Sequence, residues 1–146
     1  KSAANLVDAI AAVPRRLYAA PDYLRRHGDP RHPNDLGGHA CLHYGNLGSG
    51  AQWRLHGPDG EHSLRLSGRL CSNNGEVLRD AAVRGLGIVL LPEFIVSDDL
   101  AAGRLRAVLS DYRPIPIAIH ALYPSRRQVA VKVRMFIDFL VDRFGE

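Results

Sequence analysis

Three side chains that can bind metal ions occupy alternate positions, as His39, Cys41 and His43. In a β-strand, residues two apart point to the same face, so this spacing would gather two imidazoles and a thiol on one side of a strand. Nitrogen and sulfur ligands of this kind suit zinc. The competing interpretation places Cys41 in the core, with the two histidines at a loop and a sheet margin. No Cys-x-x-Cys pair supports the metal interpretation, and we expect no metal site.

The stretch Ser72-Asn73-Asn74-Gly75 stands between a strand pattern and a helix pattern. The first backbone amides of a helix lack partners within the helix and the helix dipole is positive there, so small anions and polar groups bind at such a place. The two asparagine side chains would add further donors. Equally, Asn73 or Asn74 can cap those backbone amides, and the spacing leaves ligand binding and capping as equal alternatives.

Catalytic and nucleotide-binding motifs are not found in the sequence. The glycine-containing segments 45–50 and 85–87 complete neither a dinucleotide motif nor a phosphate loop. Gly48-Ser-Gly50 is not a nucleophile elbow, and no serine or cysteine has a base that the sequence can place beside it. We therefore expect no catalytic residue, no enzyme activity and no cofactor.

Composition indicates an ordinary globular domain, since 46% of the 146 residues are hydrophobic and 23% are charged. The longest apolar run, residues 86–92, is too short to cross a bilayer, so we expect no membrane partner. A formal net charge of +4 could indicate nucleic-acid binding, but the arginines are scattered among acidic residues, which favours a solvated surface. Cys41 and Cys71 lie in or beside apolar runs, and we expect reduced thiols in a cytoplasmic protein.

Strand and helix patterns alternate along the chain, with one hairpin inserted. We predict strands at 16–20, 40–44, 52–55, 61–70, 86–91, 104–109 and 117–123, and helices or helical turns at 21–27, 34–36, 75–84, 92–97, 98–102 and 127–144. The 86–91 strand has no polar alternation, so it should be buried on both faces. This order predicts an α/β fold whose mixed sheet carries helices on both faces.

The last predicted helix has an apolar stripe that needs a partner surface. The stripe consists of Val129, Val133, Phe136, Ile137, Leu140 and Phe144. An exposed stripe of this kind favours self-association.

The string Gly85-Leu-Gly-Ile-Val-Leu-Leu-Pro92, followed by Asp99-Leu-Ala-Ala-Gly-Arg-Leu105, resembles the effector-binding domain of LysR-type transcriptional regulators. The resemblance continues, in the order typical of that family, through residues 18–24, 53–55, 67–70, 75–84 and 133–140. It implies a two-lobed domain similar to type 2 periplasmic binding proteins. Residues 1–15 would then be an inter-lobe connector, 16–112 the second lobe, and 113–146 the returning strand and helix of the first lobe.

The resemblance also implies a bacterial one-component regulator in which a small-molecule effector, held between the lobes, controls an N-terminal winged helix-turn-helix. We expect that DNA-binding domain, and the opening part of the first lobe, to lie outside this sequence, so that DNA binding occurs only through the missing domain. A homo-oligomer, at most a dimer for this chain alone, is expected. By position, the effector would contact Ala20, Tyr44, Gly45, Asn73, Asn74 and Gly75. The asparagines favour a polar or carboxylate-bearing effector.

Two other functions stay open at the level of sequence. One is an extracytoplasmic solute-binding protein lobe with the same bilobal fold, which a signal peptide in the complete gene would support. The other is a metal-dependent protein using His39, Cys41 and His43, which stoichiometric zinc would support.

Overall fold

The computed structural model describes residues 5–45, 51–66, 68–124 and 130–145. Contacts within the chain divide it into a larger unit, residues 14–115, and a smaller unit formed by residues 1–13 and 116–146. The assignment of residues 1–15, 16–112 and 113–146 to a connector and two lobes stays a prediction.

The elements follow one another as strands separated by short helices. The strands are β1 (Asn5–Val13), β2 (Arg15–Ala19), β3 (Cys41–Tyr44), β4 (Ala51–Gly57), β5 (Gly60–Leu66), β6 (Gly68–Ser72), β7 (Ile88–Pro92), β8 (Arg106–Val108), β9 (Arg113–Pro114) and β10 (Ile117–Pro124). The helices are α1 (Pro21–His27), α2 (Gly75–Val83), α3 (Glu93–Ala101) and α4 (Val131–Phe144), with a 3-10 helix at Pro33–Gly38.

A five-stranded mixed sheet in the order β6-β3-β7-β2-β8 forms the centre of the larger unit. Strand β3 runs parallel to β6 and β7, whereas β2 runs antiparallel to β7 and β8. The four apolar residues Ile88, Val89, Leu90 and Leu91 of the central strand are all buried. The predicted mixed α/β fold is therefore confirmed. The predicted burial of the 86–91 run holds for Ile88 to Leu91, whereas Leu86 precedes the strand and is 48% exposed.

Helices α2 and α3 pack against this sheet and against each other. Helix α2 buries Leu78, Ala81 and Ala82, whereas Val77, which the 3.6-residue period predicts on the same face, is 47% exposed. Helix α3 is one element where two short helices were predicted. Asp98 and Asp99 continue it rather than starting a new helix, because the Asp99 carboxylate is used by Arg104 Nε at 2.6 Å and not as a cap.

A three-stranded sheet, in the order β5-β4-β9, contains the hairpin. Strands β4 and β5 are antiparallel, with a register that extends from Ala51 opposite Leu66 to Gly57 opposite Gly60. The prediction of one continuous arm over 61–70 is wrong, because β6 leaves the hairpin and pairs in parallel with β3. The alternation of apolar and polar residues continues through both strands, so periodicity alone does not reveal that the chain changes sheets.

The smaller unit is an antiparallel ribbon of β1 and β10, whose register extends from Asn5 opposite Pro124 to Val13 opposite Ile117. Strand β1 was not predicted from the sequence, because its alanines carry little strand propensity and the strand depends on its pairing with β10. Helix α4 packs against β1 and buries Ile137.

The predicted apolar stripe of α4 is narrower than expected. Val133 and Leu140 are half-buried beside the buried Ile137, whereas Phe136 and Phe144 are 60% and 55% exposed. Val129 lies outside the described residues. Among the residues described, no helix has both the length and the apolar character needed to span a membrane.

Candidate functional site

Most of the predicted site residues meet at one end of the strands of the five-stranded sheet, where the parallel strands β3 and β6 terminate. Tyr44 and Ser72 are partners in the register of these strands. The backbone amide of Gly45 donates to the carbonyl oxygen of Ser72 at 3.1 Å. Asn73 follows directly, so the structure brings Tyr44, Gly45 and the start of α2 together at this edge.

Asn74 caps α2. Its Oδ1 accepts hydrogen bonds from the backbone amides of Glu76 at 2.9 Å and Val77 at 3.4 Å. Its own backbone amide donates to Ser72 Oγ at 3.1 Å. The capping alternative is thus observed for Asn74, while the side-chain Nδ2 has no hydrogen-bond partner among the described residues.

Gly75 lies in close packing with α3 and β7. A Cβ atom built at this position would lie 2.9 Å from Ile95 Cδ1 and 3.5 Å from Leu91 Cδ2. The absence of a side chain therefore lets the first turn of α2 approach α3 and β7. This packing explains the glycine without any ligand.

Ala20 does not join the other predicted site residues. It follows β2, which runs antiparallel to β7, and Tyr18 pairs with Val89 near the start of β7. Ala20 consequently lies at the opposite edge of the sheet from Tyr44, and it is only 3% exposed. The sequence does not show strand direction, which is why the turns at Ala20 and at Tyr44 could be assigned to one side.

A pocket of about 340 Å³ opens beside Tyr44, within the larger unit. Its lining consists of Arg15, His43, Tyr44, Gln52, Trp53, Arg54, Leu90 and Ile115. We call it the Arg15 pocket. Among these residues, sequence predicted an effector contact only for Tyr44, while His43 was considered as a metal ligand. Strands β2, β3, β4 and β7 each contribute to the pocket, so no local motif could have indicated it.

Arg15 supplies the pocket with a cation that is only partly satisfied. Its Nη2 donates to the carbonyl oxygen of Ile115 at 2.8 Å. Its Nε is buried and has no hydrogen-bond partner in the described part of the chain. Burial lowers the pKa of this guanidinium. An arginine remains charged in proteins, so the pocket lining includes a positive group with one unpaired buried donor.

His43 is the second polar group with an unsatisfied atom. Its Nδ1 is buried without a hydrogen-bond partner among the residues described. Burial lowers the pKa of His43, which favours the neutral imidazole at neutral pH. The neutral ring can accept at one nitrogen and donate at the other.

The other lining residues are ion-paired, exposed to solvent or apolar. Arg54 donates to Glu61 Oε1 from Nε at 3.0 Å and from Nη2 at 2.6 Å, so its charge is compensated. Tyr44 is 56% exposed, and the Trp53 ring is 3% exposed. The pocket therefore combines one uncompensated cation and one neutral imidazole with apolar surface from Trp53 and Leu90.

A second depression, of about 750 Å³, lies at the amino-terminal edge of β3 and is lined by Tyr23, His39 and Arg26 among others. Here the buried groups have partners. Tyr23 Oη lies 3.0 Å from His39 Nδ1 and accepts from the Ala40 amide at 2.9 Å. Unlike the Arg15 pocket, this depression has no buried polar atom left unsatisfied among its described lining residues.

His39, Cys41 and His43 do not converge into a ligand set. Cys41 is fully buried, and its Sγ faces the carbonyl oxygens of Leu36 and His39, both at 3.8 Å. Burial raises the pKa of this thiol to about 12, which opposes the thiolate that zinc requires. The interpretation of Cys41 as a core residue is confirmed, and both cysteines are free thiols.

Comparison with known proteins gives one consistent family. The model of the LysR substrate binding domain matches residues 6–145. The HTH-type transcriptional regulator CrgA of Neisseria meningitidis serogroup B is 34% identical over 131 residues, which is 89% of this chain and 44% of the relative. The HTH-type transcriptional regulator DmlR of Escherichia coli is 35% identical over 133 residues, covering 90% of this chain and 43% of the relative.

Comparison with solved structures identifies the same family. Full-length AphB of Vibrio cholerae, a member of the LTTR protein family, superimposes with a TM-score of 0.80 at 32% identity, covering 98% of this chain and 49% of that chain. The structure of CrgA, a LysR-type regulator from Neisseria meningitidis, gives a TM-score of 0.78 at 31% identity, with coverages of 100% and 50%. The chain spans less than half the length of the two curated relatives.

Proposed function

This chain belongs to the LysR substrate-binding domain family, and from that premise we propose that it binds a small carboxylate-bearing metabolite in the Arg15 pocket. The relatives are transcriptional regulators, so the bound metabolite would act as an effector and not as a substrate. Neither a solute-binding protein nor a metal-dependent protein built on His39, Cys41 and His43 is favoured by these relatives.

The observation that carries the proposal is the unsatisfied Nε of Arg15. Buried donors without partners are rare in folded proteins, because each one loses its hydrogen bond to water and gains nothing in return. A carboxylate oxygen placed beside Nε would supply the missing partner and would also face the guanidinium charge. Hydrogen bonds between two charged groups are stronger than neutral ones.

The size and the apolar surface of the pocket limit the rest of the ligand. A volume of about 340 Å³ is small for a binding pocket. The Trp53 ring and Leu90 would contact a short hydrocarbon or aromatic portion, while His43 Nδ1 would bond a second polar group. Asn73 and the Nδ2 donors of Asn74, at the same sheet edge, remain proposed additional contacts.

In the full-length protein, the effector would control DNA binding by a helix-turn-helix domain, as the names of the relatives suggest. A ligand that prefers one of two conformations shifts the population toward it by its difference in affinity. In a homo-oligomer, this shift would change the spacing of paired DNA-binding domains. DNA binding and oligomerisation are therefore proposals for the whole protein.

A thermal-shift screen against small organic acids, followed by calorimetric titration of each hit, tests the proposal. The informative variant is Arg15→Gln, which removes the charge, and its matched control is Arg16→Gln, an exposed arginine at the next position. We expect Arg15→Gln to weaken binding of a stabilising acid about tenfold or more, which corresponds to about 1.4 kcal/mol. Arg16→Gln should bind as the wild type does.

Two results would count against this assignment. Equal binding by Arg15→Gln and the wild type would remove Arg15 from the site. A screen in which neutral metabolites stabilise the protein and acids do not would overturn the carboxylate class.

A further inference from the structure

Two histidines and one aspartate converge at the turn between β4 and β5. Each offers one ligand atom, and the three atoms lie within 4.8 Å of one another. His32 Nε2 is 2.8 Å from Asp59 Oδ2, and His62 Nε2 is 3.0 Å from Asp59 Oδ1. We propose that His32, Asp59 and His62 bind a divalent transition metal ion of the zinc class.

The ligand chemistry fits such an ion. Two imidazole nitrogens and one carboxylate oxygen are the protein ligands of many zinc sites that keep a fourth position open. The two nitrogen–oxygen distances of 2.8 and 3.0 Å are slightly shorter than those between ligands of one ion, whereas the whole set spreads up to 4.8 Å, so a small rearrangement of the side chains would admit the metal. With neutral imidazoles the cluster carries one negative charge, which attracts a divalent cation.

An unsatisfied atom gives independent support. His62 Nε2 is buried and makes no hydrogen bond within the described part of the chain, although a carboxylate oxygen is 3.0 Å away. A metal ion between the two groups would use the nitrogen lone pair and the carboxylate oxygen at once.

The fold holds the three residues in place. Asp59 stands in the tight turn of the hairpin, and His62 is fixed on β5 opposite Leu55. His32 is the residue that precedes the 3-10 helix, where the Asp35 carboxylate accepts from its backbone amide at 3.0 Å. Ligands held by their own secondary structure lose little conformational entropy when a metal binds.

Tyr112 covers one side of the cluster. Its ring lies edge-on to both imidazoles, with centroid distances of 5.6 Å to His32 and 5.7 Å to His62. The ring occupies the space that a side chain at position 57 would need, so Gly57 makes this cover possible. An aromatic wall of this kind limits water access and strengthens metal–ligand attraction.

Metal binding has one local cost. His32 Nδ1 now accepts a hydrogen bond from the Asn34 amide at 3.2 Å. Coordination through Nε2 would place the ring proton on Nδ1 and end that bond. The other half of the cap is unaffected, because Asp35 still accepts from the amides of Arg31 and His32, both at 3.0 Å.

The cluster is separate from the Arg15 pocket and shares none of its lining residues. A bound metal would tie together the 3-10 helix and the hairpin turn beside Tyr112. The expected result is a protein that is more resistant to unfolding when loaded, since an ion that binds only the folded state stabilises it. This inference does not depend on the proposed effector.

Calorimetric titration of the chelator-treated whole chain with Zn²⁺ tests the site. We expect one ion per chain, and a loss of affinity of about tenfold or more in His62→Ala and in Asp59→Asn, since even outer-shell changes cost that much at metal sites. His56→Ala is the matched control, because His56 lies on the same hairpin, is exposed and does not belong to the cluster. That variant should bind like the wild type.

A thermal melt with and without Zn²⁺ distinguishes loss of the site from loss of the fold. His62→Ala should melt cooperatively and gain no stability from Zn²⁺, whereas the wild type and His56→Ala should gain several degrees. Unchanged zinc affinity in both His62→Ala and Asp59→Asn would overturn the proposal. So would zinc binding that disappears in Cys71→Ser while His62→Ala retains it.

Discussion

The guanidinium of Arg15 donates a hydrogen bond from Nη2 to the carbonyl oxygen of Ile115 at 2.8 Å. In sequence, the two residues lie near opposite ends of the segment that forms the larger unit, which extends from Pro14 to Ile115. The bond fixes one side of the guanidinium and leaves the buried Nε without a partner among the described residues. Arg15 is therefore held in place by the fold while one of its donors remains available.

Replacing Arg15 by methionine should change stability little. The variant loses the bond to Ile115, but it also removes a buried donor that has no partner, and the two effects oppose each other. We expect the free energy of unfolding to fall by about 1 kcal/mol or less, whereas loss of a fully satisfied charged hydrogen bond costs about 1.5–3 kcal/mol. Urea denaturation measures the difference. A loss larger than that range would show that Arg15 is structural, which would argue against a ligand-binding role.

Acid binding should depend on the protonation of His43. Burial lowers the pKa of His43, so the free protein holds a neutral ring near neutral pH. A carboxylate bound beside it favours the charged ring and raises that pKa, so the complex takes up protons and affinity rises as the pH falls below neutrality. Calorimetry in two buffers of different ionisation enthalpy measures the proton uptake. His43→Gln should abolish it, and a pH-independent affinity in the wild type would remove His43 from the site.

The fold could be predicted from the sequence to the extent that local signals and tertiary packing agree. The run 86–91 lacks polar residues and contains most of the central strand β7, which begins at Ile88, and the period change at Asn74 marks the start of α2. Two of the failures have one cause. Strand β1 depends on its partner β10, and the break between β5 and β6 depends on pairing with β3, so both are set by contacts remote in sequence.

The candidate sites show the same limit more strongly. Asn74 was predicted because a strand end beside a helix start has a recognisable pattern. Tyr44 was predicted from its position in the family resemblance. Arg15 and His43 come from strands that the sheet brings together. No spacing marks Arg15, and the spacing of His43 pointed to His39 and Cys41 rather than to Arg15. In the same way, His32 stands 27 positions before Asp59, and the hairpin and the 3-10 helix alone bring them within hydrogen-bonding distance.

Tyr18 carries a buried hydroxyl that has no hydrogen-bond partner among the residues described, and its side chain is 1% exposed. Burial, with a smaller contribution from Glu93, raises its pKa to about 12. Tyr18→Phe should therefore be neutral or raise the free energy of unfolding by up to about 1 kcal/mol, because an unpaired buried polar group is removed.

Tyr23→Phe is the matched control for Tyr18→Phe. Tyr23 is equally buried, but its hydroxyl lies 3.0 Å from His39 Nδ1 and accepts from the Ala40 amide at 2.9 Å. Its removal should destabilise the protein by about 1–3 kcal/mol, since buried partners are left unsatisfied. Chemical denaturation of both variants checks the order, and a larger loss for Tyr18→Phe would contradict it.

The two cysteines should differ in reactivity. Burial raises the pKa of the Cys41 thiol to about 12, and the residue is fully buried, so almost no accessible thiolate exists in the native protein. Cys71 is only half-buried. Iodoacetamide under native conditions should modify Cys71 before Cys41, which mass spectrometry of the digested protein resolves. Modification of Cys41 at the rate of Cys71 in the folded protein would contradict this.

The same thiol contributes to the dependence of stability on alkaline pH. The ordinary thiol pKa is 9.0 and burial raises that of Cys41 to about 12, so the folded state retains its proton where the unfolded state loses it. Stability from this group is therefore complete below the lower value and is lost as the pH rises through that window. Cys41→Ala should show a shallower decline of unfolding free energy with pH than the wild type.

Substitutions at Asn74 separate capping from ligand binding. Asn74→Ala should lower the free energy of unfolding by about 1 kcal/mol, because the amides of Glu76 and Val77 lose their acceptor. Asn74→Asp keeps a good cap and adds a negative charge at the positive end of α2, so stability should be retained. A carboxylate ligand contacting Asn74 Nδ2 would lose a donor in Asn74→Asp and meet a like charge. Stable folding with weakened acid binding in Asn74→Asp would show that Asn74 contacts the ligand. Unchanged acid binding would show that Asn74 acts only as the cap of α2, a role that the hydrogen bonds of its Oδ1 already explain.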